Sequence, residues 1–446
     1  MPMRRKLGPL QLAAVIFLTV SGGPYGLEPL FSYVGVSGAL FLLLVTPLLW
    51  DVPTILTVLE LNSMMPVEGG YYQWVKNALG VRWAFFEGWW TWLYTFCDLA
   101  IYPVLFVTYA AFFFPAVALY KIPVCLCIIW ASALLNIVGI VPVGRTSVVL
   151  SILVLTPFVL TIGLVFVHHA PLHVPAPTLY DQHFSTLSLG LYTVMWNFIG
   201  WDNATTYAGE VARPVRSYFT SVCVAFLLVV SIYILATLAV HQSGVDVSTF
   251  GEGDFPRVGE ILGGRWLGML IAAGGMASTL GLYSAVLLSV SRVPKVMADD
   301  QLLPSWLCAE HRRWGTPYVS IIASSIVVSI LILFTFSDLV VMDIILYGAG
   351  LTLEFITLLV FRRKEPLRHR PFKIPLNNSG LLLMILLPIG VYAIALTGTL
   401  VTSEKMLFPI ALALAMLFSA GLAWRLVLWR NPRLGSDPSG LNINKL

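Results

Sequence analysis

SGGPYG, residues 21–26, interrupts the first long apolar stretch of the chain, and NFIGWDN, residues 197–203, interrupts the sixth. In a helix interior a Gly costs about 1 kcal/mol and a Pro about 3 kcal/mol relative to Ala, so the first stretch is predicted to unwind. The sequence evidence for the second break is weaker, because this segment contains a single Gly and no Pro. Non-helical backbone at membrane depth persists only where it is buried in protein or lines a cavity. Two broken helices placed five apart are typical of inverted-repeat transporters with a binding site between the breaks, whereas either break alone could be a packing kink.

The composition is that of an integral membrane protein. Of the 446 residues, 58% are hydrophobic and 11% are charged, and the mean hydropathy is +0.86. A helix needs about 20 mostly apolar residues to cross about 30 Å of hydrocarbon. We predict twelve such stretches in one all-α transmembrane domain, with centres near residues 20, 48, 98, 131, 157, 198, 229, 279, 326, 350, 389 and 416.

The basic residues segregate to alternate loops. If the first residues are cytoplasmic, 22 of the 26 Lys and Arg face the cytoplasm and four face outward, namely Lys121, Arg257, Arg265 and Lys405. Because cytoplasmic loops are enriched in Lys and Arg, we predict a multi-pass protein of the cell membrane with both termini in the cytoplasm. The net charge of +4 mostly restates this asymmetry, so no nucleic-acid partner is predicted.

Chemistry other than transport finds little support. The sequence contains no evident nucleophile–base pair or cofactor motif, so neither enzymatic activity nor a cofactor is predicted. Four histidines cluster in the outer loop after the fifth stretch, at His168, His169, His173 and His183. Such a cluster could bind a metal, but solvated loop histidines are commoner, and no metal site is predicted.

Acidic residues inside the apolar stretches are the strongest functional signal. No Lys or Arg lies near them in the sequence to pair with them. A charge at the bilayer centre costs at least about 2.5–3.5 kcal/mol, so unpaired carboxylates need a reason to be there. We interpret them as partners of a mobile cation, which is an organic amine, a proton or both. The residues are Glu28, Glu87, Asp98, Asp202 and Glu354.

The third stretch carries a polar stripe. Glu87, Thr91, Tyr94, Asp98 and Tyr102 are spaced by three or four residues, which places them on one helical face. At 1.5 Å per residue, the two carboxylates stand about 16 Å apart along the axis. The stripe is predicted to form one wall of a polar pathway, and a polar helix-packing face is the alternative.

Asp202 follows Gly200 in the second break, between Trp196 and Trp201. A carboxylate beside aromatic rings suits an organic ammonium, because cation–π attraction adds about 0.5–2 kcal/mol to the charge pairing. Asp202 could also cap the half-helix that follows. Both roles are compatible.

Glu28, Glu87 and Glu354 are candidates for coupling to a proton. Burial favours the protonated carboxyl group and an approaching cation favours the carboxylate, which gives a physical basis for coupling. The sequence does not select one of the three. Glu60 and Glu210 lie at cytoplasmic helix ends and are predicted to form ion pairs with arginines.

The first break also bears on the substrate. The N–H groups at the start of a half-helix commonly hold an anionic group of the substrate. Pro24 removes one of those donors. This favours an amine without a carboxylate.

Together these residues resemble the amino acid–polyamine–organocation superfamily, and within it most closely the polyamine:proton symporter branch. Five stretches, spread from the first apolar stretch to the eleventh, carry the resemblance. They are residues 21–28, residues 60–75 with Gly69-Gly70-Tyr71, residues 87–106 with Glu87-Gly88-Trp89-Trp90, residues 201–211 with Ala208-Gly209-Glu210-Val211, and residues 353–375 with Arg370-Pro371-Phe372-Lys373.

The resemblance implies a LeuT-type core of five plus five inverted helices, about 9–169 and 186–362, with two extra helices at about 378–430. It also implies that helices 1 and 6 are discontinuous, and that uptake is driven by protons through alternating access. Carried onto this chain, it assigns substrate binding to Gly22, Gly23, Tyr25, Asp98, Tyr102, Trp201, Asp202 and Tyr283.

Alternatives remain at this stage. Ser278 and Thr279 could hold sodium between helices 1 and 8, so the coupling ion is open. The predicted function is proton-coupled import of an organic cation such as putrescine or spermidine. An amino-acid permease for cationic or neutral amino acids is the main alternative, and a membrane nutrient sensor is a weaker one.

Overall fold

The computed structural model describes residues 7–168, 173–179, 183–211, 214–402, 406–432 and 434. Some residues with sequence predictions lie outside the described part of the chain: residues 1–6, His169, Arg213, Lys405 and the side chains of His168 and Glu210. The predictions made for them therefore stay predictions. The described chain is helical, and its extended pairings are isolated bridges such as Leu7 with Val211. In chain order the α-helices are α1 (Pro9–Val20), α2 (Glu28–Thr46), α3 (Val52–Met64), α4 (Gly70–Leu79), α5 (Val81–Phe113), α6 (Lys121–Val138), α7 (Ile140–His168), α8 (Phe184–Trp196), α9 (Pro214–Ser243), α10 (Phe255–Gly263), α11 (Arg265–Val290), α12 (Arg292–Asp299), α13 (Tyr318–Leu331), α14 (Phe336–Lys364), α15 (Asn378–Thr402) and α16 (Leu407–Arg430).

The described residues contain nine helical spans that are long and apolar enough to cross a membrane, from Glu28–Met64 to Leu407–Arg430. Two shorter apolar helices, α1 and α13, accompany them. α2 and α3 are joined through a π-helical turn at Pro47–Asp51, and the backbone of α2 leaves helical geometry at Gly35. The membrane class is therefore confirmed, and the count of twelve crossings stays a prediction.

Both predicted breaks are present. α1 ends at Val20 and the next helix begins at Glu28, so residues 21–27 are non-helical. α8 ends at Trp196, and two short 3-10 turns rather than an α-helix follow the second break, at Asn203–Thr206 and Ala208–Glu210. Asp202 precedes the first of these turns without a side-chain capping bond to it.

Glycine is required at both breaks. Gly26 has φ +85° and Gly200 has φ +94°, values that L side chains rarely adopt. A Cβ atom at Gly26 would lie 2.6 Å from Cζ3 of Trp196, and one at Gly200 would lie 3.0 Å from the Thr19 carbonyl oxygen. The first break therefore approaches α8 closely, and the second approaches α1.

α5 occupies the centre of the bundle. It packs against α11 on one side and α14 on another, while α1 packs against α7, α9 and α11. The most apolar window of the span Arg265–Asp299 is 78% buried, compared with 28% for Leu407–Arg430. α11 is therefore an interior helix and α16 a peripheral one, as expected for extra helices outside a core.

A buried ion pair fixes the end of α3 to the end of α14. Glu60 is 0% exposed. The Arg362 guanidinium donates from Nε to Oε1 and from Nη2 to Oε2 of Glu60, each at 2.6 Å. Arg370 Nε lies 3.3 Å from the same carboxylate, and the Ile374 amide donates to it at 2.8 Å. The predicted ion pair of Glu60 is confirmed.

We expect Arg362→Met to lower the free energy of unfolding by about 3 kcal/mol, because it leaves a buried carboxylate with only the weaker Arg370 contact. Thermal unfolding of the purified protein in detergent measures the loss. The matched control is Arg368→Met, whose pair with Glu365 is 31% and 43% exposed. Exposed pairs are worth at most about 1 kcal/mol. Equal unfolding midpoints for both variants would contradict a stabilising role of the Glu60 pair.

Candidate functional site

The two breaks bond to each other through α9. The Tyr233 hydroxyl lies 2.7 Å from Ser21 Oγ in the first break and 2.8 Å from the Asn197 carbonyl oxygen in the second. The side-chain amide nitrogen of Asn197, Nδ2, donates to the Gly26 carbonyl oxygen at 3.4 Å. Polar backbone freed at one break is therefore partly satisfied by the other, and the breaks lie side by side.

Asp98 of α5 lies close to the second break. It is 3% exposed. Its Oδ1 accepts a hydrogen bond from the Tyr102 hydroxyl at 2.5 Å and from the Trp196 indole at 3.2 Å. Asp343 of α14 is its electrostatic neighbour. Within the described residues neither carboxylate oxygen of Asp343 has a hydrogen-bond partner. We call Asp98 and Asp343 the outer pair.

Three further carboxylates meet nearer the start of α5. The Tyr347 hydroxyl donates to Asp202 Oδ1 at 3.0 Å, and Glu354 lies within hydrogen-bonding reach of the same aspartate. Glu87 is the charged neighbour of both acids. It packs against α14, where a Cβ atom at Gly350 would lie 3.0 Å from its Oε1. We call Glu87, Asp202 and Glu354 the inner cluster.

The inner cluster is buried and incompletely bonded. Its members are 1–3% exposed. Among the described residues, Oε2 of Glu87 and Oε2 of Glu354 lack a hydrogen-bond partner. Burying an ionised carboxylate without a partner is costly, so such a cluster is stable only when it holds protons or a cation.

Two antiparallel stripes build this arrangement. On α5 the stripe predicted from the sequence runs from Glu87 to Tyr102. On α14 a second stripe is spaced four, three and four residues apart, at Asp343, Tyr347, Gly350 and Glu354. Glu87 faces the Glu354 end of α14 and Asp98 faces the Asp343 end. The sequence predicts no role for Asp343, although the spacing that places the α5 stripe on one helical face is also present on α14.

The tryptophans beside Asp202 contact other aspartates. Trp196 donates to Asp98, and Trp201 donates to Asp51 Oδ1 at 3.0 Å. Tyr347, not an indole, is the aromatic partner of Asp202. Non-helical backbone has no fixed period, so side-chain directions in the break could not be predicted from the sequence.

Glu28 serves the first break directly. It is 0% exposed. Its Oε2 accepts from the Gly26 amide at 2.7 Å and its Oε1 accepts from the Tyr109 hydroxyl at 2.5 Å. Tyr25 packs edge-on against the Tyr109 ring and donates to the Ile271 carbonyl oxygen of α11 at 2.9 Å. A backbone N–H of the first break is therefore already occupied by a carboxylate of the chain itself.

The remaining predicted residues lie towards α11 and α13. Gly22 lies against Ser278, where a Cβ atom would be 2.6 Å from the serine Oγ. The Thr279 hydroxyl donates within its own helix to Met276. Gly23 adjoins Val154 of α7, and Tyr283 lies beside Ser325 of α13. Of the eight predicted binding residues, Asp98, Tyr102 and Asp202 therefore lie at the acidic groups, and the described contacts of the other five are with other residues.

An aromatic pair separates Asp98 from a cavity at the far end of α5. Trp196 packs edge-on against Phe336, with ring centroids 5.4 Å apart. Phe336 lines a cavity of about 220 Å³ together with Thr108, Lys121 and Glu252. The Trp196 indole thus contacts both the Asp98 carboxylate and a residue of the cavity wall.

The chain is similar to known membrane transporters. The family model "Amino acid permease" matches residues 7–418. A probable polyamine transporter of Arabidopsis thaliana is 35% identical over 390 residues, which cover 86% of this chain and 80% of the relative. A polyamine transporter of Oryza sativa subsp. japonica is 33% identical over 418 residues, which cover 92% and 78%.

The fold is similar to that of a solved transporter. The crystal structure of MhsT in complex with L-phenylalanine superposes with a TM-score of 0.62 at 14% identity, and covers 89% of this chain and 99% of MhsT. MhsT has the LeuT-type fold, so the predicted fold class is confirmed. Identity this low extends the likeness to the fold alone.

We expect Glu28→Leu to destabilise the protein more than Glu28→Gln. Leucine leaves the buried Gly26 N–H and Tyr109 hydroxyl without a partner, and each such group costs about 1–3 kcal/mol. Glutamine can accept from Gly26 and donate to Tyr109. Thermal unfolding in detergent measures both variants against the parent. Equal stability of the leucine and glutamine variants would show that Glu28 does not support the break.

Proposed function

This chain belongs to the amino acid permease family, and from that premise we propose that it imports an organic cation, such as a polyamine, by proton symport through alternating access. It is a transporter of the amino acid–polyamine–organocation superfamily. The proposal places it in the cell membrane with both termini in the cytoplasm. It also divides the chain into inverted repeats at about 9–169 and 186–362, followed by two extra helices at about 378–430.

The observation that carries this proposal is the pair of facing acidic stripes on α5 and α14. The stripes carry four buried carboxylates and the second break adds Asp202, and among the described residues none of the five forms an ion pair with Lys or Arg. The buried arginines, Arg292 and Arg362, lie at helix ends instead. A mobile cation therefore supplies the charge that the stripes lack.

The separation of the two acidic groups favours a substrate with more than one ammonium group. Glu87 and Asp98 are eleven residues apart on one helix, which is about 16 Å along the axis. A flexible polyamine carries ammonium groups along its carbon chain and can contact the inner cluster and the outer pair in turn or together. A monoamine can contact only one of them.

The bond between Glu28 and Gly26 favours a substrate without a carboxylate. In transporters with broken helices, the N–H groups of the break commonly hold an anionic group of the substrate. Here the Glu28 carboxylate accepts the Gly26 N–H at 2.7 Å, and Pro24 has no N–H to donate. An α-carboxylate would have to compete with a permanently tethered one.

One observation supports the amino-acid alternative. The family model that matches residues 7–418 is described as an amino acid permease. An amino acid would place its ammonium group at the carboxylates and its own carboxylate at the break. This alternative requires that Glu28 leave Gly26.

Uptake into liposomes by the purified protein tests the substrate. We expect inward proton gradients to drive accumulation of radiolabelled putrescine and spermidine, with arginine and leucine competing weakly. Asp98→Asn and Asp202→Asn are expected to reduce initial polyamine uptake at least about tenfold, because each removes a charge-assisted contact worth about 1.5–3 kcal/mol.

Asp246→Asn is the matched control, because Asp246 lies in an exposed turn and, among the described residues, its side chain accepts a hydrogen bond from Ser248. It should leave uptake unchanged. Undiminished polyamine uptake by both site variants would overturn the cation-site assignment. Uptake of leucine or arginine in preference to polyamines would favour the amino-acid permease.

The coupling residue is tested by separating exchange from driven uptake. Glu87 and Glu354 each have a carboxylate oxygen without a partner in the described structure, whereas both oxygens of Glu28 are bonded. A proton can therefore join either of the first two without breaking a hydrogen bond. We expect Glu87→Gln or Glu354→Gln to retain substrate exchange and to lose most proton-driven accumulation.

Glu28→Gln is the comparison variant and should keep both activities. Loss of driven accumulation in Glu28→Gln alone would move the coupling role to the first break. Dependence of uptake on sodium, with indifference to the proton gradient, would replace proton coupling by sodium coupling and direct attention to Ser278 beside Gly22.

A further inference from the structure

A groove opens at the end of the bundle where the basic residues are concentrated. It has a volume of about 440 Å³ and lies between the first turns of α5 and the last turns of α16. This is the end predicted to face the cytoplasm. Its lining residues are Arg82, Phe86, Phe418, Gly421, Leu422, Trp424 and Arg425.

The mouth of the groove carries two available guanidinium groups. Arg82 and Arg425 are exposed. Within the part of the chain that the structure describes, neither forms an ion pair with a carboxylate. The Arg82 guanidinium lies over the rings of Phe86 and Trp83, at 5.6 and 6.0 Å from their centroids. Arginine forks of this kind match the geometry of phosphate oxygens.

The rest of the groove is apolar and opens sideways. Phe418 and Leu422 are 76% and 65% exposed. A Cβ atom at Gly421 would meet nothing within 4 Å, so the space above this glycine is empty of protein. α16 is the least buried of the spanning helices, which places this apolar wall towards the hydrocarbon. The groove thus joins a cationic mouth to a wall that continues into lipid.

We propose that this groove binds the headgroup of an anionic phospholipid, with the phosphate between Arg82 and Arg425 and the acyl chains along Phe418 and Leu422. Anionic lipids of the cytoplasmic leaflet attract basic residues at the membrane surface, and basic pockets between helices bind their headgroups. A free phosphate would satisfy the arginines but would leave the apolar wall uncovered. The proposal goes beyond the transport function and does not depend on its substrate.

A bound lipid would brace α16 against α5. These helices already meet through two indoles of α5: Trp89 donates to Ser419 Oγ at 2.9 Å and Trp90 donates to the Leu417 carbonyl oxygen at 3.0 Å. Arg82 and Arg425 extend that contact towards the end of the bundle. The lipid would therefore fix a peripheral helix to the helix that carries Glu87 and Asp98.

Native mass spectrometry of the delipidated full-length protein, titrated with phosphatidylglycerol or phosphatidylcholine in mixed micelles, tests the proposal. We expect one tightly retained phosphatidylglycerol and weaker retention of phosphatidylcholine. Each of Arg82→Gln and Arg425→Gln should weaken binding of this lipid about fivefold, since a basic residue near the surface contributes about 1 kcal/mol. Gly421→Leu should abolish binding by filling the groove.

Two variants outside the groove serve as controls. Arg363→Gln removes an exposed charge at the same end of the bundle, and Gly390→Leu fills equally open space on α15. Both should retain the lipid, and monodisperse elution checks that every variant is folded. Equal retention of phosphatidylglycerol by the groove variants and the controls would overturn the proposal. So would full displacement by glycerol phosphate, which would identify a phosphate site, or a lipid-free dimer that Gly421→Leu dissociates.

Discussion

The structure depends on one constraint: inside the membrane, every freed backbone group needs a partner from the protein. The chain breaks two helices side by side, and an unsatisfied polar group inside the membrane costs several kcal/mol. The breaks are stable because residues at each break form hydrogen bonds with polar groups of the other, directly or through Tyr233. Tyr233 contacts both, Asn197 reaches the Gly26 carbonyl oxygen, and Glu28 takes the Gly26 N–H. These bonds hold α1 and α8, the two helices that end at the breaks, in one relative position.

That position brings the acids together. The second break sets Asp202 against Tyr347 of α14, and the same helix carries Asp343 and Glu354 one turn or two away. α5 runs antiparallel beside α14, so its two carboxylates meet the two ends of the α14 stripe. The buried carboxylates are thereby gathered into the inner cluster and the outer pair, and each group needs protons or a cation to compensate its charge. The arrangement that gives the freed backbone groups their hydrogen bonds therefore also buries carboxylates that need a cation or protons.

The sequence predicted those parts of this arrangement that obey a helical period. Gly and Pro content located both breaks, and the spacing from Glu87 to Tyr102 placed one stripe correctly on α5. The facing stripe on α14 obeys the same period: Tyr347 lies two turns before Glu354 on a similar face, and Asp343 lies one turn before Tyr347. The direction of Trp201 was beyond sequence reasoning, because Trp201 lies in a break in which no period relates one side chain to the next. Trp196 is the last residue of α8, and its bond to Asp98 depends on how α8 packs against α5. The ion pair of Glu60 with an arginine was predictable, since a buried acid at a helix end needs such a partner. Which arginine pairs with it was not, because Arg362 lies far away in the sequence, in α14.

The ion pairs at the end of the bundle that is predicted to face the cytoplasm differ in a way that suits the proposed alternating access. Lys76 of α4 pairs with Asp300, which directly follows α12. Lys295 of α12 pairs with Glu68, which lies just before α4, and with Glu310, which lies after α12. Their side chains are 12–37% exposed, and partly exposed pairs exchange for water at a cost of at most about 1 kcal/mol each. The Glu60 pair is fully buried and would cost several times more to open. In the proposed cycle, the separation of α4 from α12 therefore costs the least free energy and opens the site towards the cytoplasm. α3 and α14 move together as one body.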